Sequence, residues 1–206
     1  LSNADLFVVN VRGKALERLG LDYDSLRSLN PRLIYVHCVG FGQTGPYADL
    51  QAYDDVIQAA TGTTTLLPRV DGDPRPRYLP SLIADKVSGL HAAYAVQAAL
   101  IHRLRTGRGQ RIEIPMFENL VKFVLEEHMY LKTFDPPLGE TGDPRLLDPL
   151  GKPIPTKDSY ICISANTNDQ AFGFFDVIGR PELKTDPRFS SVQARFANVA
   201  AYFEVR

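Results

Sequence analysis

The sequence predicts an α/β fold, with a large domain built on a parallel sheet and a smaller α+β domain that begins after it. In the first part of the chain, short apolar runs rich in β-branched residues alternate with helical stretches, an order typical of parallel sheets. A segment rich in Pro and Gly, residues 135–155, then interrupts this pattern. We therefore expect the large domain at 1–134, a linker at 135–155 and the start of the smaller domain at 156–206.

The first predicted elements are two strands separated by two helices. LFVV, residues 6–9, is an apolar run typical of a buried strand, and KALERLG after it is a helix that stops at Gly20. Residues 23–29 form a second helix, which Asn30-Pro31 ends. LIYVHCV, residues 33–39, is rich in β-branched and aromatic residues and predicts the second strand.

The central region is dominated by one long helix. Before it, residues Asp49 to Ala60 are predicted to be helical, and a connector rich in Pro, Arg and Gly at 68–80 is expected to lack regular structure. The long helix runs from about Leu82 to Leu104 and ends at Thr106-Gly107, because glycine can take the left-handed conformation that closes a helix. A strand at 111–115 and a helix at 117–133 complete the large domain.

The smaller domain begins with a strand and a capped helix. YICISA, residues 160–165, predicts the strand. The helix at 169–178 is entered from the polar residues 166–168 and closed by Gly179, and Pro181 opens the next turn.

Composition narrows the classes of partner. The chain has 206 residues, of which 44% are hydrophobic, enough for a substantial core. Its 23 basic and 24 acidic residues give a net charge of -1, so we expect no binding to nucleic acid and no attraction to anionic membranes. The longest uncharged stretch, 87–102, is too short to cross a bilayer. A small-molecule substrate is favoured.

The two cysteines give no sign of a metal or redox site. Cys38 and Cys162 are far apart, and no second Cys or His lies near either at a spacing typical of zinc ligands. We interpret both as reduced, buried thiols of a cytoplasmic protein, and expect no metal.

The sequence around other familiar motifs excludes the functions that these motifs usually indicate. GFGQTG, residues 40–45, satisfies G-x-G-x-x-G after a strand, but it leads into a turn, and the acidic pair Asp54-Asp55 downstream lies in a predicted helix instead of at a strand end. The histidines show no metal-like spacing, and no G-x-S-x-G elbow is present. The glycines still allow a ligand to approach the backbone after a strand.

Asp85 is the candidate catalytic carboxylate. An aspartate at a helix start is usually a cap or a first-turn charge. Here Ser88 and Gly89, three and four residues later, share its helix face, so little bulk stands beside the carboxylate. We expect the helix N-terminus to keep Asp85 ionised as a nucleophile and to favour an oxyanion next to it.

Several consecutive segments resemble one known family. These are NPRLIYVHCVGFGQTGPY, AYDDVIQAATG and LIADKVSGLHAAYAVQAALIHRLRTGRGQRIEIPMFENL, followed by PTKDSYICIS and IGRPELKTDPRFSS. They are similar to signatures of the class III coenzyme A transferases, the family of formyl-CoA:oxalate and carnitine CoA-transferases, to which the α-methylacyl-CoA racemases are related. The resemblance covers nearly the whole chain and implies a doubly wound, Rossmann-like sheet in the large domain.

The resemblance assigns the chemistry to Asp85, which matches the family's A-D-x-x-x-G nucleophile. It implies that Asp85 attacks an acyl-CoA thioester to form an anhydride, which CoA converts to an aspartyl-CoA thioester before a small carboxylic acid accepts the CoA. Coenzyme A is then a substrate, and no permanently bound cofactor is expected.

The resemblance also implies a CoA site. The segment VNVRGKALERLG matches the family's E-N-F-R-x-G region, with Arg18 as a contact to a CoA phosphate, although Val9, Val11 and Gly13 stand where Glu, Phe and Pro are usual. A glycine loop beside the thioester and an apolar contact near the nucleophile complete the set. The implied CoA-binding residues are Asn10, Val11, Ala15, Arg18, Gly40, Phe41 and Met116.

Two alternatives to a CoA-transferase stay open. The racemases pair the aspartate with a histidine, and the matching position here is Tyr53, which favours a transferase over an acyl-CoA racemase or epimerase. Family members are also about twice this length, which implies that the first βαβ unit and a C-terminal segment lie outside this chain. On this interpretation the large domain is partial, and the interlocked homodimer of the family is incomplete. The chain by itself is then an inactive, non-catalytic acyl-CoA-binding fragment.

Overall fold

The computed structural model describes residues 1–206, which form two compact units. One unit consists of Leu1–Leu66 and Arg75–Glu127, and the other of Leu67–Pro74 and His128–Arg206. The domain limits drawn from composition stay a prediction.

A parallel sheet forms the centre of the first unit. Its strands are β1 (Leu6–Val9), β2 (Ile34–Val39) and β3 (Gln110–Pro115), in the order β1-β2-β3. β2 pairs in parallel with both neighbours. The predicted α/β class is therefore confirmed, and the carboxyl ends of the three strands lie at the same edge of the sheet.

Most predicted helices of this unit are present. The structure has α1 (Gly13–Leu19), α2 (Tyr23–Leu29), α3 (Asp54–Ala60), α5 (Ile83–Thr106) and α6 (Met116–His128). A further helix that was not predicted, α4 (Leu66–Asp71), lies almost wholly in the second unit. α1 and α5 end at Gly20 and Gly107, whose positive φ angles of 64° and 74° confirm the predicted glycine stops. None of these helices combines the length and the apolar character that crossing a bilayer requires.

Two apolar clusters hold α5 in place. In its C-terminal half, Ala99 is fully buried with Ile34, Val36 and Ile114 of the sheet. Nearer its N-terminus, Ala84 and Val87 belong to a second cluster with residues of α3 and α6, namely Ile57, Leu120 and Val124. Small side chains on α5 allow this close packing, which fixes the start of the helix where the candidate carboxylate lies.

Two expectations for the central region are wrong. The helix predicted at 49–60 begins only at Asp54, since Tyr53 is extended and the acidic pair Asp54-Asp55 forms the first turn, where negative charge is favourable. The connector at 68–80 is not wholly irregular, because α4 includes Pro68. Pro68 is the third residue of α4, so the amide hydrogen that it lacks has no partner within the helix.

The second unit has short strands and an aromatic core. The antiparallel strands β4 (Ile154–Pro155) and β5 (Tyr160–Ile161) are followed by three helices, α7 (Asn168–Val177), α8 (Val192–Ala197) and α9 (Val199–Val205). The predicted strand at 160–165 is therefore shorter than expected. Thr167 caps the start of α7 with a capping box, and Phe175 packs against Phe189 and Tyr202.

The helix predicted at 117–133 is also shorter than expected. α6 ends at His128, because residues 130–133 form a separate 3-10 turn.

The cysteines differ from each other in exposure. Both are free thiols, but Cys38 is half-buried and Cys162 is exposed. The expectation that both are buried is wrong for Cys162, because it directly follows the short strand β5, whose residues Tyr160 and Ile161 are themselves exposed.

Candidate active site

A cleft of about 1580 Å³ opens at the carboxyl edge of the parallel sheet. Asn10, Gly40 and Met116, which line it, are each the first residue after a strand: β1, β2 and β3 respectively. The N-terminal part of α5 contributes Asp85 to the same cleft. Open α/β sheets bind their ligands at this edge, so the cleft is the candidate active site.

The structure brings together all but one of the residues implied by the resemblance. Those that line the cleft are Asn10, Val11, Ala15, Arg18, Gly40, Asp85 and Met116. Phe41 does not, because its side chain is 7% exposed and packs in the core with Ile57. Only its neighbour Gly40 reaches the cleft, and a role for Phe41 in binding stays a prediction.

The segment between β1 and α1, together with α1 itself, forms a positively charged wall of the cleft, in which the one carboxylate of Glu17 accompanies three cationic side chains. Arg12 and Arg18 line it, together with Lys14, whose ammonium lies 2.8 Å from the Asp49 carboxylate. The buried His37 holds the segment between β1 and α1 in place, because its Nε2 lies 2.8 Å from the Val11 carbonyl oxygen. The wall can therefore place cationic side chains against an anionic ligand.

Carboxylates hold the glycine loop after β2. The Gly42 amide donates to Glu118 Oε1 at 2.9 Å, and the Gln43 amide donates to Glu113 Oε1 at 2.8 Å. The Gly45 amide donates to the Gly42 carbonyl. A phosphate cradle needs backbone amides that point at the ligand, and these three are already paired. This geometry supports the rejection of GFGQTG as a dinucleotide motif.

Asp85 lies in the first turn of α5, beside an open part of the cleft. Ser88 and Gly89 line the cleft next to it, as their spacing predicts. The Ser88 hydroxyl donates to the Ala84 carbonyl at 2.8 Å. A Cβ added at Gly89 would meet no protein atom within 4 Å. The side of the helix next to the carboxylate is therefore free for a ligand.

A second carboxylate caps the helix that carries Asp85. Asp54, in the first turn of α3, is 7% exposed, and its Oδ1 accepts hydrogen bonds from the amides of Ala84 at 2.7 Å and Asp85 at 3.1 Å. Leu82, at the N-cap of α5, provides no side-chain cap. The first amides of α5 are therefore satisfied by a residue from another helix.

The surroundings of Asp85 raise the pKa of its carboxyl group. The surrounding protein removes part of the water from this group, and this desolvation has the larger effect, with a smaller contribution in the same direction from the charge of Asp54. The first amides of α5 bind Asp54 and not Asp85, so the expected stabilisation of the Asp85 charge by the helix N-terminus stays a prediction.

The histidines make contacts with the backbone. Besides the contact of His37 with Val11, the Nδ1 of His91 lies 2.8 Å from the Val87 carbonyl oxygen, and the Asp143 amide lies 3.4 Å from His128 Nδ1. His102 is exposed on α5. No group of three or more His, Cys, Asp or Glu side chains in the chain could hold a metal ion.

Sequence reasoning missed the residues that support the site. In the sequence, Asp54 stands out only as half of the acidic pair Asp54-Asp55, and no motif distinguishes Glu113 or Glu118. The one local signal was the position of Asp54 in the first turn of a helix that follows the glycine loop. Its partners are the amides of Ala84 and Asp85, about thirty residues away, and no local pattern predicts such a contact.

Fold and cleft define the class of this protein: an α/β protein that presents a carboxylate beside a ligand cleft at the carboxyl edge of a parallel sheet. Comparison with known families makes the class specific, since the model of the family described as CoA-transferase family III matches residues 1–205. The chain belongs to CoA-transferase family III.

Individual relatives agree with this family. The chain is 33% identical over 196 residues to the succinate–glutarate CoA-transferase of Agrobacterium fabrum, covering 95% of this chain and 48% of the relative. It is 35% identical over 213 residues to the acetyl-CoA:oxalate CoA-transferase of Acetobacter aceti, covering 95% and 50%. The crystal structure of Rv3272 from Mycobacterium tuberculosis is similar with a TM-score of 0.78 and 32% identity, over 99% of this chain and 52% of that one. The chain thus spans about half the length of these relatives.

Proposed function

We propose that the protein carrying this chain transfers coenzyme A from an acyl-CoA thioester to a carboxylic acid. The observation that carries the proposal is that Asp85 lines the cleft at the sheet edge. No Ser-His or Cys-His pair, which could provide a different nucleophile, lines the same cleft. Membership of CoA-transferase family III and the names of the relatives support it.

The proposed reaction is a series of acyl exchanges at Asp85. Its carboxylate attacks the thioester carbonyl, which forms a mixed anhydride and releases the CoA thiolate. The thiolate then attacks the aspartyl carbonyl of the anhydride, which gives an aspartyl-CoA thioester and the free donor carboxylate. No proton is consumed in either step, and each bond formed replaces one of similar energy.

The acceptor reverses these steps. Its carboxylate attacks the aspartyl thioester to form a second anhydride and again releases the thiolate. The thiolate then attacks the acceptor's acyl carbonyl, which forms the product thioester and regenerates the Asp85 carboxylate. Water would hydrolyse each intermediate, so the loaded cleft must exclude it.

Coenzyme A is proposed to lie along the positively charged wall. Arg18 contacts a phosphate, and the backbone after β2 lies beside the thioester at Gly40. Met116, after β3, provides an apolar contact near Asp85. The remaining proposed CoA contacts are Asn10, Val11, Ala15 and Phe41. We also propose that the protein acts as an interlocked homodimer.

The proposal is tested by assaying the purified natural protein against a panel of CoA thioesters and free carboxylates. Mass spectrometry should detect a new CoA ester that depends on both substrates, together with CoA bound to Asp85. Binding of acyl-CoA without any exchange across the panel would favour the non-catalytic alternative.

An acyl-CoA racemase on the same fold predicts a different result. Tyr53 lines the cleft where that reaction needs an imidazole, and its side chain is 64% exposed, with its hydroxyl 2.7 Å from Gln51 Nε2. A phenol has a pKa of about 10 and does not replace imidazole near neutral pH. We expect no exchange of the α-hydrogen of a branched acyl-CoA in D2O, measured by NMR. Stereospecific exchange at a rate comparable to turnover would instead identify a racemase.

Alanine at Gly89 should separate stability from binding. It removes a glycine from the interior of a helix without meeting any protein atom, so we expect the free energy of unfolding to rise by about 0.5–1 kcal/mol. The added methyl group occupies the cleft beside Asp85, and acyl-CoA binding should weaken roughly tenfold. Denaturant unfolding and calorimetric titration measure the two effects.

Gly173 provides the matched control for this substitution. It lies in α7 and is not among the residues that line the cleft, and a Cβ there also meets no atom within 4 Å. Gly173→Ala should therefore raise stability without changing acyl-CoA affinity. Equal affinities of the two variants would show that Gly89 does not border the ligand.

A further inference from the structure

Asp54 and Gln58 form a buried pair one turn apart on α3. Gln58 is 2% exposed, and its Nε2 donates to Asp54 Oδ2 at 2.7 Å. The other Asp54 oxygen, Oδ1, accepts the amides of Ala84 and Asp85. Three N–H groups therefore converge on the two oxygens of one side chain. An ionised carboxylate can accept at both oxygens, whereas an amide side chain can accept at only one.

Gln58 also fixes the chain that leads into α5. Its Oε1 accepts the Leu79 amide at 2.9 Å, and its Nε2 lies 3.1 Å from the Ser81 carbonyl oxygen. These contacts determine the orientation of the Gln58 amide, so it presents a donor, and not an acceptor, to Asp54. The pair thus holds both the approach to α5 and its first turn.

We propose that Asp54 is a positioning residue for the reaction at Asp85: its carboxylate closes the N-terminus of α5 and fixes the backbone from which the Asp85 side chain enters the cleft. This inference rests on the proposed function. The reason is geometric, since a nucleophile displaced by about 1 Å can lose a large part of its rate. α5 has no cap of its own that could hold Asp85 if Asp54 were changed.

The charge of Asp54 makes the positioning role testable through the pH dependence of kcat. Besides Asp54, the titratable and charged groups around the cleft are Arg12, Lys14, Glu17, Arg18, Cys38, Asp49 and Tyr53. Among them, the charge of Asp54 raises the pKa of Asp85, after the larger effect of desolvation. Transfer is lost at low pH when Asp85 is protonated, so removal of the Asp54 charge lowers the pKa of Asp85 and moves the acid limb of kcat to lower pH.

The test compares three variants of the natural protein in the CoA-transfer assay. Asp54→Asn should lower kcat by roughly tenfold to a hundredfold with KM for acyl-CoA within about twofold, and should move the acid limb to lower pH. Asp54→Glu keeps the charge but lengthens the side chain, so kcat should fall while the acid limb stays. Asp55→Asn removes an exposed charge from the same helical turn and should change neither.

The outcomes separate this role from the proposed function. Wild-type kcat and acid limb in Asp54→Asn, or the same losses in Asp55→Asn, would overturn the role of Asp54. If Asp54→Asn does not fold, wild-type kcat in Asp54→Glu would overturn it. An Asp85→Asn variant is assayed in parallel: transfer that needs Asp85 but not Asp54 removes only the positioning role, whereas transfer that does not need Asp85 removes the proposed mechanism itself.

Discussion

Replacing Asp85 with alanine or asparagine should abolish CoA transfer in the protein that carries this chain, with a loss of roughly 10³-fold or more in kcat. The other two aspartates that line the cleft are paired, Asp49 with Lys14 and Asp54 with the first amides of α5. Ser88, the nearest hydroxyl along the helix, donates to the Ala84 carbonyl. Transfer assays and intact-mass detection of the enzyme-bound CoA thioester measure the loss.

The fold should survive this change. Asp54 caps α5, and desolvation together with the charge of Asp54 raises the pKa of Asp85, so the Asp85 charge does not stabilise the helix. Unfolding in denaturant should therefore stay close to wild type. Turnover near the wild-type rate in either variant would show that Asp85 is not the nucleophile.

Alanine at Gly40 should damage both the site and its support. A Cβ added there would overlap the Ala52 side chain, just before Tyr53 and Asp54. Relief of this overlap must displace either the backbone after β2 or the segment that leads into α3. We expect about 1–3 kcal/mol of lost stability and roughly a hundredfold loss of transfer, since both displaced segments border the cleft.

Gly45, in the same loop, is the control for Gly40. A Cβ at Gly45 would lie 3.4 Å from the Gly42 carbonyl oxygen, an ordinary contact distance. Gly45→Ala should therefore keep both stability and transfer within about twofold of wild type. The effect is measured by denaturant unfolding and by the transfer assay, and equal behaviour of the two alanine variants would contradict the steric account.

The sheet could be predicted from the sequence because its signals are local. LFVV and LIYVHCV are apolar, β-branched runs bounded by turn residues, and both form strands. Gly107 marks the end of the long helix in the same way. The irregular region was harder, because Pro68 breaks a helix interior but fits a first turn, and composition does not distinguish these positions.

The site was only partly predictable, for a different reason. Asn10, Gly40 and Met116 come together because each follows a parallel strand, so their proximity is a property of the topology. The resemblance implied these residues but did not show that the Phe41 side chain turns into the core. The cap on α5 depends on a contact between separate helices, which neither periodicity nor a local motif contains.

The hydrogen bonds of Asp54 and Gln58 also constrain how the cleft can move. They join α3, the chain at 79–81 and the first turn of α5, and all of them would have to break before one helix shifted against the other. We therefore expect these parts to move together, so that the backbone of Asp85 keeps a constant position relative to α3 while a ligand enters the cleft.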